Sequence, residues 1–408
     1  MKLNAQKYYT SLFVIVLFLQ LYLPSFRANS ILQLGVLMLF FFLEKVSIST
    51  SFLKQLTPLY CILIVGGIGT IIYNYLFFNV LKDIIHFIKP ILGIAIGYLF
   101  YKKINNFRYF IKTIVLSGLV SALIHFVIII RYGGLVSGSI NEIREFGRDN
   151  FLELFALFFL VFYAKFQLEA LFKKTIYTQI IIIILLVSNS LYFSRTMAVV
   201  AIILFLSLKG YTLLTQKSIK VIVGVFIMIG LFYGTLFSIK IDRNKPGIQA
   251  FLYKVKIAPT EIFKTNIDRE NHKDLWDHWR GYEAKRAFAL MGKHPESILF
   301  GTGHGSLVNL KFKAPLGIDG KGIQYISELH NGYVYILYKT GIIGIGMYLL
   351  FLIGLYRRIY FNTKIITVYI SAIGLVFMFT TLTITGIYNP RDINVFILGA
   401  LLFFKKEG

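Results

Sequence analysis

The chain has 408 residues, 57% of them hydrophobic and only 15% charged, and its mean hydropathy is +0.70. That composition excludes a soluble globular protein, because apolar runs of about 20 residues are long enough to cross a hydrocarbon core of about 30 Å. The formal charge of +24 suits a nucleic-acid binder at first sight, but the positive-inside rule accounts for it, and no nucleic-acid partner is expected.

In chain order there are about twelve apolar runs: 8–26, 29–43, 57–78, 83–101, 110–131, 150–164, 175–193, 196–208, 219–238, 331–356, 364–388 and 392–404. Helices satisfy their own backbone hydrogen bonds in lipid, so the expected fold is an all-α polytopic membrane protein with about twelve transmembrane helices. The first run resembles a signal peptide, but no small-x-small cleavage pattern follows it, so a retained first span is expected. Cys61 is the single cysteine, which leaves no disulfide framework and no cysteine-based metal site. Three regions follow: an N-terminal membrane region 1–238, a large, partly helical extracytoplasmic loop 239–329, and a C-terminal membrane region 330–408.

With the N-terminus inside, the inner short loops and termini carry nineteen Lys/Arg and the outer short loops seven. Both termini are therefore expected in the cytoplasm and the long loop outside. Six of the seven outer cations are arginine: Arg27, Arg131, Arg144, Arg148, Arg195 and Arg391, beside Lys82. Topology asks only for charge. A planar guanidinium fork suits phosphate or carboxylate, so the bias points to an outer surface that grips an anion, with interfacial snorkelling as the plainer alternative.

Ser194-Arg195-Thr196 forms an outer turn between two spans and puts Arg195 at the mouth of the bundle. Arg148-Asp149-Asn150 opens the next candidate site, at the start of span 150–164, and Glu153 lies one turn inside that apolar run, where a carboxyl group is either functional or paired. In the long loop, Trp276–Met291 reads as an amphipathic helix with Ala284, Ala287, Phe288 and Met291 on one face, tryptophans at headgroup depth, and His294-Pro295 ending it. Asp274 and His278, four residues apart, are too few to define a metal site. The run Gly301-Thr302-Gly303-His304-Gly305-Ser306 is either an anion nest or a tight turn beneath the loop helix.

The loop through His330 concentrates polar chemistry: five of seven histidines, both tryptophans and ten of nineteen carboxylates. His330 stands where it returns to the membrane, and an imidazole there can act as a general base near neutral pH. Nearby arginines would push its pKa down, and a bound anion would push it up. His86 and His125 lie within spans and read as packed or hydrogen-bonded.

Together these residues resemble the bacterial O-antigen ligase and polymerase superfamily of integral-membrane glycosyltransferases. The resemblance covers the overall plan. It is carried by Ser194-Arg195, by Arg280 leading the loop helix, by His294-Pro295 followed by Gly301-x-Gly303-x-Gly305, and by His330-Asn331-x-Tyr333 followed by Gly341 and Gly344. It implies transfer of an oligosaccharide from an undecaprenyl pyrophosphate donor at the outer side of the bacterial inner membrane. His330 would be the general base, and Arg195 and Arg280 would hold the pyrophosphate and stabilise its leaving charge. Arg148 and Arg391, from the outer arginine set, and His294 and Tyr333, from the matching blocks, complete the expected substrate contacts. No nucleotide motif or acidic metal cluster stands in the sequence, which agrees with a lipid-activated donor, no metal and no cofactor.

A polymerase would join the glycan to another lipid-linked repeat. A ligase would join it to the lipid A core of lipopolysaccharide. Polymerase is the expected reading, with ligase the alternative. A flippase for lipid-linked glycans is the alternative of another class, although transporters keep ionisable groups near the midplane and show repeated halves. Membrane lipids and other members of a glycan-assembly complex are the remaining expected partners.

Overall fold

The computed structural model describes residues 5–23, 25–131, 149–166, 168–243, 245, 248–261, 263–268, 271–316 and 322–407. Each apolar run is helical over most of its described length. In the N-terminal region the helices are α1 (Ala5–Tyr22), α2 (Phe26–Met38), α3 (Thr50–Gln55), α4 (Thr57–Tyr73), α5 (Phe77–Ile104), α6 (Phe107–Arg131), α7 (Phe151–Val161), α8 (Thr175–Leu191), α9 (Arg195–Leu208) and α10 (Gln216–Ser238). The loop contributes α11 (Ile248–Ile257), α12 (His272–Asp277), α13 (Trp279–Met291), α14 (Ser297–Phe300), β1 (Val308–Ala314) and β2 (Ile323–Ile326). The chain closes with α15 (Gly332–Tyr356), α16 (Arg358–Phe361), α17 (Ile365–Thr383) and α18 (Asn394–Glu407).

Among the described residues, six helical segments are long and apolar enough to cross a membrane: Phe26–Leu43, Phe77–Ile104, Phe107–Arg131, Gln216–Ser238, Gly332–Phe361 and Ile365–Thr383. Five further apolar helices are 10–17 residues long. The protein is therefore a mostly helical membrane protein. One departure from an all-α chain is the antiparallel hairpin β1–β2, with Val308 opposite Ile326 and Asn309 opposite Tyr325. Val308, Leu310 and Ala314 on β1 are buried, while Lys311 and Lys313 are exposed, the alternation expected of a strand with one covered face.

At the centre of the bundle stands α5, with 78% of its apolar window buried; α10 is at the edge, with 6%. In lipid, close packing replaces hydrophobic collapse as the force between helices, so small residues mark the tightest contacts. A Cβ on Gly97 would fall 2.0 Å from the Phe396 carbonyl oxygen, and one on Gly399 would fall 2.0 Å from that of Ile94. These two glycines let α5 and α18 meet backbone to backbone. Gly341 breaks α15 with φ +64°, and a Cβ there would sit 2.2 Å from the Leu299 carbonyl oxygen, so the kink seats α14.

Polar bonds sort the helix ends into two groups. At one end Gln6 bonds the Ile104 carbonyl (3.1 Å), Lys103 meets Glu44 (2.7 Å), Arg108 meets Glu169 (3.0 Å), Arg358 meets Gln55 (2.6 Å) and Tyr356 bonds the Thr212 carbonyl (2.8 Å). At the other end the long loop docks, through Tyr73 to Glu296 (2.9 Å), Lys82 to Ser327 (2.9 Å) and the contacts of Arg195 and His330 given below.

Glu153 is fully buried between α6, α7 and α8, and it is satisfied. Its Oε1 accepts from Ser121 (2.9 Å), Asn150 (2.9 Å) and Tyr192 (2.8 Å), and its Oε2 from Ser188 (2.5 Å). His125 bonds Ser188 at 2.9 Å and stacks on Tyr192 at 3.8 Å. Four donors on one carboxyl group tie three helices together, which answers the cost of placing it there.

Candidate functional site

Each principal side chain is fixed by a helix start. Ser194 caps α9, its Oγ accepting from Met197 N at 3.1 Å, and so places Arg195 as the first helical residue, turned toward the loop. Arg195 donates through Nη1 to the Lys254 carbonyl and through Nη2 to Glu261 Oε2 at 3.2 Å. Arg280 lies in the first turn of α13 and donates through Nη1 to Glu261 Oε1. Asn331 caps α15 by accepting from Tyr333 N and Val334 N, which leaves His330 just outside the helix.

His330 is held by Glu283, a carboxylate with 1% of its side chain accessible. Glu283 accepts the His330 backbone N–H at 3.0 Å and faces Nδ1 with both oxygens at 3.1 Å. An ionised carboxylate only accepts, so Nδ1 carries the proton and Nε2 is the basic nitrogen. The ring is set deep among neighbouring atoms, yet 54% of the side chain is accessible because it borders an open cavity. Burial pulls the His330 pKa down, but the Glu283 carboxylate outweighs it and the net shift is upward. The opposing effect of Arg280 is smaller, so the downward shift expected from neighbouring arginines is overturned.

Arg195, Arg280 and His330, separated in sequence by up to 135 positions, line one cavity of about 220 Å³ with Lys254, Ile257, Glu261, Trp276, Asp277 and Trp279. A larger cavity of about 670 Å³ lies at the opposite end of the bundle, beside Phe107, Lys165, Leu208 and Lys364. Among the described residues no carboxylate or imidazole lines it.

Of the other expected contacts, the described ones do not line the cavity. Arg148 lies outside the described residues. Arg391 sits on the turn before α18, where its N–H bonds Asn389 (3.2 Å) and its charge acts on Lys89. His294 is 3.6 Å from Glu296 and edge-on to Tyr73, with half its side chain exposed. Tyr333 turns into the bundle and donates to the Met378 carbonyl at 2.8 Å, fastening α15 to α17. Three carboxylates at the site carried no expectation from sequence, Glu261, Asp277 and Glu283. Glu283 had a signal: it follows Arg280 by three residues, one helical turn, so the two share a face.

The loop helix differs from its sequence pattern. It breaks at His278 into α12 and α13, and the buried positions of α13 are Trp279, Gly281, Tyr282, Glu283, Ala287 and Met291, so Phe288 stays exposed. Trp279 is in a small core of the loop itself with Leu275, Tyr282, Leu310 and Ala314. Asp274 is engaged by Lys264 at 3.1 Å and stands 3.5 Å from His278.

The glycine-rich turn is a fastening, not an open nest. Thr302 N donates to the Tyr338 carbonyl (2.7 Å), Gly303 N to that of Lys339 (3.0 Å) and His304 N to that of Gly66 (3.1 Å). Gly305 N donates to Asp83 Oδ2 (2.6 Å), which also takes Lys339 Nζ at 2.5 Å. The anion facing the turn is thus the protein's own Asp83, and the turn locks α4, α5 and α15 together.

Fold and site together define a polytopic helical membrane protein with a cationic, histidine-bearing cavity at one end of the bundle. No protein-family model matches the chain. No curated protein matches it.

Proposed function

We propose that this protein is a membrane glycosyltransferase that joins oligosaccharide repeats from undecaprenyl pyrophosphate donors into a surface polysaccharide, an O-antigen-type polymerase. The observation that carries the reading is the convergence of Arg195, Arg280 and His330 on one cavity at the loop end of the bundle. Glycosyl transfer from a lipid diphosphate needs two things at the reacting carbon: a base for the acceptor hydroxyl, and cations for the diphosphate as it leaves. His330 Nε2 takes the hydroxyl proton, the acceptor oxygen forms the new glycosidic bond, and the bond to the diphosphate oxygen breaks. Arg195 and Arg280 hold that leaving group. Glu283 keeps the imidazole in the tautomer that can accept and stabilises the imidazolium that forms.

On this reading about twelve helices cross the bacterial inner membrane. The helix ends rich in Lys103, Arg108 and Arg358 face the cytoplasm with both termini, and the loop 239–329 faces out.

The decisive assay supplies purified protein with lipid-linked repeat alone, in the presence of a chelator and without ATP. Lengthened lipid-linked glycan supports polymerisation. Turnover that appears only when lipid A core is added marks a ligase. No chain growth or transfer with either acceptor, from folded protein, refutes the enzyme reading and leaves transport of lipid-linked glycan. His330→Ala is expected to lose about 10²–10⁴-fold in turnover with donor binding kept. His330→Gln should not rescue, because an amide cannot take the proton. An active, well-expressed His330→Gln protein would remove the base assignment.

A further inference from the structure

Among the described residues, two carboxylates line the cavity, Glu261 and Asp277. Asp277 is taken by Arg243, whose Nε and Nη2 reach its two oxygens at 2.8 and 3.0 Å. Glu261 is different. Its side chain is 10% accessible, and it divides its oxygens between the two cavity arginines, Oε2 to Arg195 and Oε1 to Arg280. One anion spanning two guanidinium forks is the arrangement a diphosphate would adopt there. The protein's own carboxylate occupies the seat.

The three groups rest on unequal supports. Arg195 opens α9, which packs on α17, and Arg280 lies on α13, which packs on β1 and α15. Glu261 sits on the turn after α11. Helix α11 packs chiefly on α10, and α10 is itself the least buried of the long spans. Moving either arginine would disturb packed elements, whereas moving Glu261 disturbs little.

We infer that Glu261 is a resident, displaceable anion: in the empty cavity it bridges Arg195 and Arg280, and a diphosphate ligand binds by expelling it from between them. This rests on the reading of the cavity as a diphosphate site. Binding then exchanges one anion for another, with no covalent bond changed. The tethered carboxylate lowers the affinity of every competing anion by the same factor. A diphosphate, with several charges and an oxygen for each fork, still binds. A carboxylate or a monophosphate is left too weak to hold. Glu261 therefore sets the threshold that keeps small anions out of the site and reserves it for diphosphate-linked substrates.

The test uses the purified full-length protein in detergent, with inorganic pyrophosphate and inorganic phosphate as ligands followed by titration calorimetry. Glu261→Gln keeps the side-chain volume and removes the charge. It is expected to bind pyrophosphate about tenfold more tightly than the native protein, the equivalent of one charge-assisted contact released. Phosphate binding should tighten by the same factor, and Arg195→Lys in the Glu261→Gln background should abolish the gain. Glu261→Asp, a methylene too short to span both forks, should fall between native and Gln, and it carries the test if the Gln variant does not fold. Equal or weaker pyrophosphate binding by a folded Gln or Asp variant overturns the inference, since Glu261 would then be holding the arginines in place. That result leaves the diphosphate site standing. Absence of pyrophosphate binding in native and variant proteins alike, with unfolding transitions intact, removes the diphosphate site and the inference together.

Discussion

Replacing Glu283 by Gln should move the acid limb of the pH–activity profile and not merely lower its plateau. In the native protein His330 must be neutral to act as base, and its pKa is raised by Glu283, so activity falls as pH drops through a value above the ordinary 6.5. An opposite charge within about 4–6 Å shifts a pKa by roughly 1–3 units. The two oxygens of Glu283 stand 3.1 Å from Nδ1, but 54% of the His330 side chain is accessible, and solvent screens the pair. Without the carboxylate the imidazolium loses its main support, so the limb should move down. Well below the native limb, the neutral fraction of His330 then rises. The plateau falls severalfold over the same change, because a weaker base transfers a proton less readily. The measurement is kcat/KM against pH with lipid-linked repeat as donor, which reports the free protein's ionisations. A lowered plateau with an unmoved limb would refute the reasoning, because Glu283 would then act only as a structural acceptor for the His330 N–H.

Arg195→Lys and Arg280→Lys should each lose most of the turnover while keeping charge, since lysine offers no fork, and Arg27→Lys, exposed at the start of α2 away from the cavity, should be nearly silent; equal tolerance at all three would make the arginine bias incidental. Single cysteines at Lys217 and Lys313, both exposed, should label from opposite sides of the membrane, and labelling of both from the same side would refute the topology. Lys339→Met should destabilise the protein by about 3–5 kcal/mol in thermal or denaturant unfolding, because it leaves Asp83 charged and buried, and adding Asp83→Asn should recover much of that loss; a silent single variant would show that the pair does not hold the glycine-rich turn.

The parts legible in the sequence are those with a local signature. Apolar runs of bilayer length become helices because nothing else satisfies a backbone in lipid. Arg195 and His330 stand next to the capping residues Ser194 and Asn331, so their place at helix starts could be read directly. Their meeting with Arg280 could be expected only through a resemblance. Arg391, His294 and Tyr333 show the limit of reasoning from residue type at a helix end. Each sits near the loop end of the bundle, yet Tyr333 is rotated into the core, and the other two lie on separate turns. Glu261 was not legible as a site residue, because an acid in a polar loop carries no mark of which cation it will meet, and Glu283 was marked only by its one-turn spacing from Arg280. The hairpin was legible and overlooked: Val308-Asn309-Leu310-Lys311-Phe312-Lys313 alternates strictly between apolar and polar, the signature of a half-covered strand. The loop-helix face was misjudged because Glu283 takes an inward position that hydrophobicity alone assigns to a neighbour.

Helix α10 has 23 residues, about 34 Å at 1.5 Å per residue, and almost no protein around it. What sets its inclination is the bilayer. A thinner membrane tilts such a helix, and a thicker one draws it upright. Its loop end runs within ten residues into α11, which supplies Lys254 and Ile257 to the cavity wall, and the Tyr233 hydroxyl bonds the Val255 carbonyl at 3.1 Å, so the two helices move together. The width of the cavity mouth is thereby coupled to the length of the surrounding acyl chains. In proteoliposomes of graded chain length, donor affinity should pass through an optimum, while Glu283 keeps its hold on His330 at the cavity.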